Sequence, residues 1–422
     1  MSRILLGVAG GIAAYKAAEL LRRLKEPQAD ADQPYGAGHD LTVVPTAAAL
    51  EFVGAPTWAA LSGHPVQTDV FTDVESVPHV ALGRQADLIV VAPATADLLS
   101  RAATGRADDL LTSCLLTATC PVIFAPAMHT EMWLHPATQA NVATLRARGA
   151  VVIDPDSGRL TGADTGPGRL PDPAELARIV RTVLQRPELA VAAAARDLAG
   201  LQLVVSAGGT REQIDPVRFV GNASSGLMGQ AIARAAVLRG AGVDLIAANV
   251  DLPSPAGVRT IPVGSTLELQ AAVTAAGKAA DVVVMAAAPA DFRPAQAQSG
   301  KIKKSDPNQR LELSLVQNPD ILAGLVADRT DRSQVLVGFA AETADTPEQL
   351  VDLGRAKLAR KGCDLLVLNA VGRGRVFGQA DSEIRLLRTP SEDAPAPDAL
   401  AGSKDTLAHH ILDEVLQIRS GR

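Results

Sequence analysis

Short apolar runs separated by longer amphipathic stretches recur along the whole chain. In the first half the runs fall at residues 4–8, 41–44, 88–92, 122–125 and 151–153. Helical patterns lie between them, among them 12–24, just after Gly10 and Gly11, and 136–148. The pattern restarts at 201–205 and continues at 243–248, 282–287, 335–339 and 365–368, again with helices between. Near-continuous apolar strands are what a parallel sheet covered on both faces requires, because both sides of each strand are then buried. The sequence therefore predicts two α/β domains, each a doubly wound parallel sheet. In such sheets ligands sit beyond the carboxyl ends of the strands, so chemistry is expected in the segments that follow each apolar run.

Length agrees with two domains, since 422 residues exceed what one hydrophobic core usually organises. A helix ending near Gln185 is followed by an Ala-rich, weakly patterned stretch at 187–200. Domain limits are accordingly expected at 1–187 and 201–422, with a linker at 188–200. Two stretches read as solvated surface loops: 26–40, and the Pro/Asp/Ala-rich 389–402.

Composition narrows the function. Hydrophobic residues make up 47% and charged residues 20%, enough to bury two sizeable cores. Aromatics are only 3% and the net charge is −6, which argues against a nucleic-acid partner, normally met with stacking rings and a basic surface. The same charge disfavours attraction to an acidic membrane. Cys114, Cys120 and Cys363 form no CxxC pair, which fits a reducing, cytoplasmic setting. Residues 1–6 run straight into the first strand with no leader pattern, and no apolar run approaches the roughly 18–20 residues that span a bilayer. Anionic substrates would have to be held locally, by backbone amides and a few placed cations.

The second half carries the denser set of motifs. After the 201–205 run come Ser206, Ala207, Gly208, Gly209, Thr210, Arg211 and Glu212, then Asp215, Pro216, Val217, Arg218 and Phe219. Gly221, Asn222, Ala223, Ser224, Ser225, Gly226, Leu227, Met228 and Gly229 lead into a helix that ends near Gly240. Glycines after a strand let backbone approach a ligand, and a Ser-Ser-Gly turn at a helix start offers hydroxyls and unpaired amides to a phosphate. Further on are the segment 286–293 with Asp291, then Lys301, Ile302, Lys303 and Lys304, then Asn318, Pro319, Asp320 and Ile321, then the segment 338–343. Alone, a Gly-Gly pair is an ordinary turn and a lysine run is a solvated face. Five such motifs in order are specific.

Together they resemble the phosphopantothenate–cysteine ligase family across about residues 200–418. That resemblance implies a Rossmann-like domain in which Asp291 and Lys301 contact the nucleotide, usually CTP in bacterial members. Asn318, Pro319, Asp320, Ile321, Phe339, Lys357 and Lys361 match further nucleotide-site positions. Asn222 matches the residue that handles the acyl-nucleotide intermediate, while Gly208, Gly209, Ser224, Ser225 and Gly226 match substrate-binding positions. The implied chemistry activates the carboxylate of 4'-phosphopantothenate on the α-phosphate of CTP, releasing pyrophosphate; the amine of cysteine then displaces CMP. Lys301 and Mg²⁺ would neutralise charge on the phosphates. One departure is visible: Leu227 stands where a basic residue is usual.

In the first half, Gly10 and Gly11 join the first strand to the first helix, which permits close approach of a phosphorylated cofactor. Thr46, the segment 78–82 with His79, the segment 92–97 with Ala92 and Thr95, and the segment 125–133 with His129 and Met132 follow. The closing string runs from Pro155 to Gly158 and from Asp164 to Leu170, with Arg169 near its end. In this order the motifs resemble the FMN-dependent phosphopantothenoylcysteine decarboxylases, across about residues 1–185. The resemblance implies a flavodoxin-like flavoprotein domain, with FMN at Gly10, Gly11, Thr46, Ala92 and Thr95, a catalytic His79, and substrate contacts from His129, Met132 and Arg169. It also implies homo-oligomers, trimeric through the flavin domains and dimeric through the ligase domains. Two positions depart from the family pattern: His129 replaces an asparagine, and Gly162, between Thr161 and Ala163, replaces a cysteine acid. Glycine donates no proton, so Asp164 or water is left to supply it. The alternative is an active ligase whose flavin domain is impaired in decarboxylation and serves assembly or regulation.

Overall fold

The computed structural model describes residues 1–26, 38–69, 77–160, 164–303, 311–344, 346–370, 381–388 and 397–422. The chain divides into two compact units, Met1–Asp197 and Leu198–Arg422. The stretch 188–200 contains the helix Leu189–Ala195, which buries Leu189, Ala190, Ala193 and Ala194.

The first unit is built on β1 (Arg3–Val8), β2 (Asp40–Pro45), β3 (Leu88–Ala94), β4 (Val122–Pro126) and β5 (Val151–Val152). They form one parallel sheet in the order β2-β1-β3-β4-β5. This is the flavodoxin-like order, whose direction reverses between β1 and β3 and opens a crevice at their carboxyl ends. A hairpin of β6 (Asp156–Arg159) and β7 (Thr165–Arg169) follows. The first helix begins at Ala14, two residues later than the pattern predicted, leaving Gly10 to Ala13 as the turn. Of the stretch expected as a loop at 26–40, residues 27–37 lie outside the described residues, and Asp40 already belongs to β2.

The second unit comprises β8 (Gln202–Gly208), the hairpin β9 (Arg211–Gln213) and β10 (Phe219–Gly221), β11 (Gly242–Ala248), β12 (Arg259–Val263), β13 (Val282–Met285), the pair β14 (Phe292–Pro294) and β15 (Leu315–Gln317), then β16 (Val335–Glu342), β17 (Leu365–Ala370), β18 (Asp381–Arg388) and β19 (Leu400–Ser403). The main sheet runs β12-β11-β8-β13-β16-β17-β18-β19. Counting only its own strands, the first six stand in the order 3-2-1-4-5-6 and are parallel, the Rossmann arrangement. The last two are antiparallel. They correct the sequence reading, which expected a loop across 389–402: residues 400–402 lie in β19, and 389–396 lie outside the described residues.

Both faces of this sheet are covered, which explains its unbroken apolar runs. Val204, Ile246, Val283, Leu336 and Leu366 bury on one side. Leu203, Val205, Leu245, Val284, Val337 and Val367 bury on the other. The helix Leu227–Leu238 lies so close to β8 that a Cβ on Gly229 would stand 2.6 Å from Ala207 Cβ and 2.7 Å from the Ser206 carbonyl oxygen. Only a hydrogen fits there, and that closeness sets where the helix's first turn sits. Gly229→Ala should therefore destabilise the second unit by about 1–3 kcal/mol through overpacking. Urea unfolding of that unit checks this; an unchanged midpoint contradicts the packing account.

Candidate functional site

The Rossmann reversal in the second unit lies between β8 and β13, and a cavity of about 780 Å³ opens beside it. That is ample for a nucleotide-sized ligand. One wall is the turn of Ser224, Ser225 and Gly226 with the first residues of the Leu227–Leu238 helix. The opposite wall is the stretch from Met285 to Asp291, the segment Gln317 to Leu322, and Phe339 to Ala341 at the end of β16. Lys357, Arg360 and Lys361 enter from the helix Pro347–Lys361, and Lys404 from the start of the helix Lys404–Ser420. The lining thus holds four cationic side chains against two carboxylates, Asp291 and Asp320. An excess of cations facing a cavity of this size suits a ligand carrying several phosphates.

Local chemistry holds these parts in place. Asp320 caps the helix Ile321–Asp328 by accepting from the Ala323 amide at 3.1 Å, and its other oxygen accepts from Lys361. Partial burial raises the pKa of Asp320, but Lys361, the Ala323 amide and Arg360 outweigh it and hold the carboxyl below its usual range. Lys357 Nζ donates to Glu342 Oε1 at 2.7 Å. Asn222 Nδ2 donates to the Pro289 carbonyl at 2.8 Å, tying the turn's wall to the Asp291 wall.

Behind the cavity is a buried hydrogen-bond junction. Glu212 Oε1 accepts from the Thr266 amide at 2.9 Å and the Thr266 hydroxyl at 2.8 Å. The Thr266 proton being committed to Glu212, Thr266 Oγ1 must accept from Thr210 at 3.0 Å and from Asn318 Nδ2 at 3.3 Å. Thr210 in turn accepts from the Ala290 amide at 2.8 Å, and Asn318 Nδ2 also donates to the Ala290 carbonyl at 2.8 Å. All four side chains are buried. Asp215, also buried, accepts from the Val217, Arg218 and Ile302 amides; burial pushes its pKa up, but these donors and Arg218 prevail and lower it. Residues that read as chemistry in the sequence are thus used to shape the cavity.

The predicted ligase residues separate into three groups. Asn222, Ser224, Ser225, Gly226, Asp291, Asn318, Pro319, Asp320, Ile321, Phe339, Lys357 and Lys361 share the cavity. Gly208 and Gly209 do not line it. They stand behind the turn, where a Cβ on Gly209 would lie 2.4 Å from the Asn222 carbonyl oxygen and one on Gly208 2.1 Å from that of Ala248. The missing side chain of Gly209 lets the turn approach the end of β8, and that of Gly208 makes room for the Ala248 carbonyl at the end of β11. Lys301 does not line the cavity either: it is exposed, next to Ile302, whose amide donates to Asp215 and whose carbonyl accepts from Arg218. Lys304 lies outside the described residues. Arg360 and Lys404 also line the cavity and were not singled out in the sequence, because only the fold brings them there.

In the first unit the predicted residues gather at the carboxyl edge of the sheet. Gly10 packs against the short helix Ala47–Leu50, a Cβ there standing 2.4 Å from Ala48 Cβ. A Cβ on Gly11 would meet only Thr95 Cγ2, at 3.6 Å. Thr46 and Thr95 cap the helices after β2 and β3, accepting from the Ala49 and Leu98 amides, and Ala92 is buried within β3. His79 is the second residue of the helix Pro78–Gln85. Its carbonyl accepts from Thr117 Oγ1 at 2.8 Å, while its Nδ1 is buried with no partner among the described residues. Arg169 and Met132 are exposed, as is His129, and the Gly168 carbonyl accepts from the Met128 amide at 2.9 Å, holding β7 beside the 128–134 segment. Thr161, Gly162 and Ala163 lie outside the described residues. The open face at Gly11, two helix starts and the orphaned His79 nitrogen fit a phosphate-bearing cofactor.

A flavodoxin-type unit followed by a Rossmann-type unit with a polyanion cavity defines a two-part enzyme. Residues 1–185 match the Flavoprotein family, and residues 198–418 match the family described as DNA/pantothenate metabolism flavoprotein C-terminal domain. Curated relatives span the full length. The "Coenzyme A biosynthesis bifunctional protein CoaBC" of Mycolicibacterium smegmatis is 54% identical over 98% of this chain and 97% of its own. The protein of the same name from Mycobacterium tuberculosis H37Rv is 53% identical over 99% and 97%, and that from Vibrio vulnificus CMCP6 is 40% identical over 98% and 97%. The chain belongs to this CoaBC family of bifunctional coenzyme A biosynthesis enzymes, which join a decarboxylase-type flavoprotein unit to a ligase unit.

Replacing Thr266 by Val should cost about 1–3 kcal/mol, since it strips one donor from buried Glu212 and the acceptor from Thr210 and Asn318. Chemical denaturation of the ligase transition measures it; a cost near zero would mean the junction is not holding the cavity walls.

Proposed function

We propose that residues 201–422 ligate 4'-phosphopantothenate to cysteine, using CTP and passing through an acyl-cytidylate, and that residues 1–187 then decarboxylate the product to 4'-phosphopantetheine with FMN. The observation that carries the ligase reading is the single cavity joining the Ser224, Ser225 and Gly226 turn to Asp291 and to Lys357, Arg360 and Lys361. A carboxylate becomes an electrophile only when one oxygen is exchanged for a better leaving group. The cavity offers room to place the acid's carboxylate against the α-phosphate, so that pyrophosphate leaves and a mixed anhydride forms. The amine of cysteine then displaces CMP. The turn's amides and the start of the Leu227–Leu238 helix would hold the substrate phosphate. Asp291 and the lysines would hold the nucleotide, with Mg²⁺ travelling on its phosphates. Asn222, tied to Pro289, would position the anhydride.

For the flavin unit, FMN when bound supplies reversible two-electron oxidation at the cysteinyl thiol carbon. Gly11 and the helix starts beyond β1 and β3 would receive its phosphate. His79, held by Thr117 through its carbonyl, would move the thiol proton. His129, Met132 and Arg169 would face the substrate. The alternative, a flavin unit that no longer completes decarboxylation, is favoured by the lack of a cysteine acid at Gly162 and by His129 in place of asparagine. Release of CO₂ from phosphopantothenoylcysteine decides between them: sustained release supports the bifunctional reading, and none with FMN bound supports the alternative.

A dimeric ligase unit draws support from the exposed apolar side chains Val217, Phe219, Phe292, Leu315 and Val316 on and beside its two small antiparallel strand pairs, apolar surface suited to burial against a second copy. A cytoplasmic setting is consistent with three cysteines that form no CxxC pair. No described helix is long and apolar enough to cross a membrane.

Pyrophosphate release on mixing the protein with CTP, 4'-phosphopantothenate and cysteine tests the ligase reading directly, and its absence would refute it. Lys301, exposed and outside the cavity lining here, would have to reach the phosphates once the ligands are bound; Lys301→Ala should then lower kcat/KM for ligation about 10²-fold or more, as removal of a transition-state cation does. Near-normal turnover would take Lys301 out of the reaction. His79→Asn should abolish CO₂ release while leaving pyrophosphate release intact; retained decarboxylation would remove His79 from its role.

A further inference from the structure

The side chain of Asp215 has no solvent exposure, so its charge has to be met inside the fold. Its two oxygens serve two different parts of the chain. Oδ1 accepts from the Val217 and Arg218 amides, each at 2.8 Å, and so closes the turn between β9 and β10. An aspartate in a turn ordinarily does this much. Oδ2 accepts from the Ile302 amide at 3.2 Å, 87 residues along the chain, and pairs with the Arg218 guanidinium at 3.2 Å. Arg218 Nη2 in turn donates to the Ile302 carbonyl at 3.2 Å. One carboxylate–guanidinium pair therefore clasps both backbone polar groups of Ile302, with charge-assisted bonds. A further bond, from the Gln298 amide to the Ile214 carbonyl at 2.9 Å, fastens the same segment to the same turn.

The residue next to this clasp is Lys301. Its loop joins β14 to β15, and the residues flanking those strands on the other side, Asp291 and Asn318, both line the ligase cavity. Each strand is three residues long, about 10 Å. The loop is thus the outer end of a short hairpin whose inner end is cavity wall. Lys301 itself is exposed and its side chain takes no part in the clasp, which grips backbone alone. A cation assists a transition state only from a defined position, and a loop held at no point would spread its lysine over many. The β9–β10 turn needs only Oδ1, which an asparagine would supply. The buried second oxygen has a use only in what it does for Arg218 and Ile302.

We propose that Asp215 is a positioning residue for ligation: it holds the backbone beside Lys301, so that this lysine reaches toward the nucleotide phosphates from a fixed start. Asp215 does not line the cavity and acts through Ile302. The inference rests on the reading of Lys301 given above and adds to it the residue that places the lysine.

Asp215→Asn separates the two duties of the carboxylate. Its single carbonyl oxygen can keep the Val217 and Arg218 amides, but its NH₂ group then faces the Ile302 amide and the Arg218 guanidinium, donor against donor. Full-length wild type, Asp215→Asn, Lys301→Ala and the double variant are compared by pyrophosphate release with CTP, 4'-phosphopantothenate and cysteine, with melting midpoints recorded. Asp215→Asn should lower kcat/KM about 10–100-fold, the scale of a small misplacement of a reacting group. On the Lys301→Ala background the same change should lower it no further, while shifting the melting midpoint as much as it does in the wild type. A merely structural role would slow both backgrounds alike. Under native conditions trypsin should cut after Lys301 and Lys303 faster in Asp215→Asn, relative to its other sites. Ile302→Pro removes the amide donor from the loop side and leaves the buried carboxylate and its turn in place; it should slow ligation to a similar degree with the midpoint level, whatever Asp215→Asn does to folding. The proposal is overturned if either variant turns over normally, if Asp215→Asn raises the rate, if it slows the Lys301→Ala protein further, or if the tryptic pattern is unchanged. Normal turnover by Lys301→Ala is a distinguishable failure: it removes the reading of Lys301, and the inference with it.

Discussion

Glu212 is the fixed point of the ligase unit. Its carboxylate is buried, so it must be given donors, and it takes them from the first residue of one helix, Thr266. Fixing the Thr266 proton fixes the direction of each bond around it, and through Thr210 and Asn318 the order reaches both the amide and the carbonyl of Ala290. Asp291 is the next residue, so the cavity wall that carries it has little freedom left. A buried network of this kind holds one geometry when every member is satisfied and fails sharply when one is missing. The glycines act by the opposite means. Gly209 and Gly229 remove side chains where backbones must touch, letting the Asn222 turn and the following helix close on β8. Network and close approach together set the distance between the two ligand-binding walls.

The proposed ligation depends on that separation. Joining a carboxylate to a phosphate requires two anionic ligands in one space, and their mutual repulsion has to be met by charge distributed along the cavity. The four cations of the lining enter from two different helices at two different corners. In the flavin unit the corresponding design is simpler: small residues and helix starts gather where the strand order reverses, with one histidine held by its backbone carbonyl and its buried Nδ1 without a partner among the described residues.

Much of this was legible in the sequence. The parallel strands were, because burial on both faces leaves unbroken apolar runs such as 282–287 and 335–339. The gathering of Asn222, Ser224, Asp291 and Asp320 in one place was legible through the resemblance of the ordered motifs to the ligase family. Other parts were not. Strands β18 and β19 stand at the sheet's edge, where half-exposed positions such as Ser382 and Arg385 dilute the apolar signal. The structural use of Thr210, Glu212 and Asp215 could not be separated from a chemical one, because polar residues in a motif look the same whether they face a ligand or a helix start. Gly208 and Gly209 were placed at the substrate because glycines after a strand let a ligand approach, and close packing of backbone on backbone leaves the same signature. Lys404 was not singled out, because a lone lysine opening a helix carries no signal until the fold brings it to the cavity.

The central claim is that one cavity holds a nucleoside triphosphate and a phosphorylated acid side by side. A crystal structure of the full chain with CTP and 4'-phosphopantothenate, cysteine being withheld, tests it most directly. The account predicts the acid's phosphate at Ser224, Ser225 and Gly226, the nucleotide phosphates among Lys357, Arg360 and Lys361, and the acid's carboxyl group against, or already joined to, the α-phosphate. Density for the two ligands in separate sites, or for neither in this cavity, would contradict it.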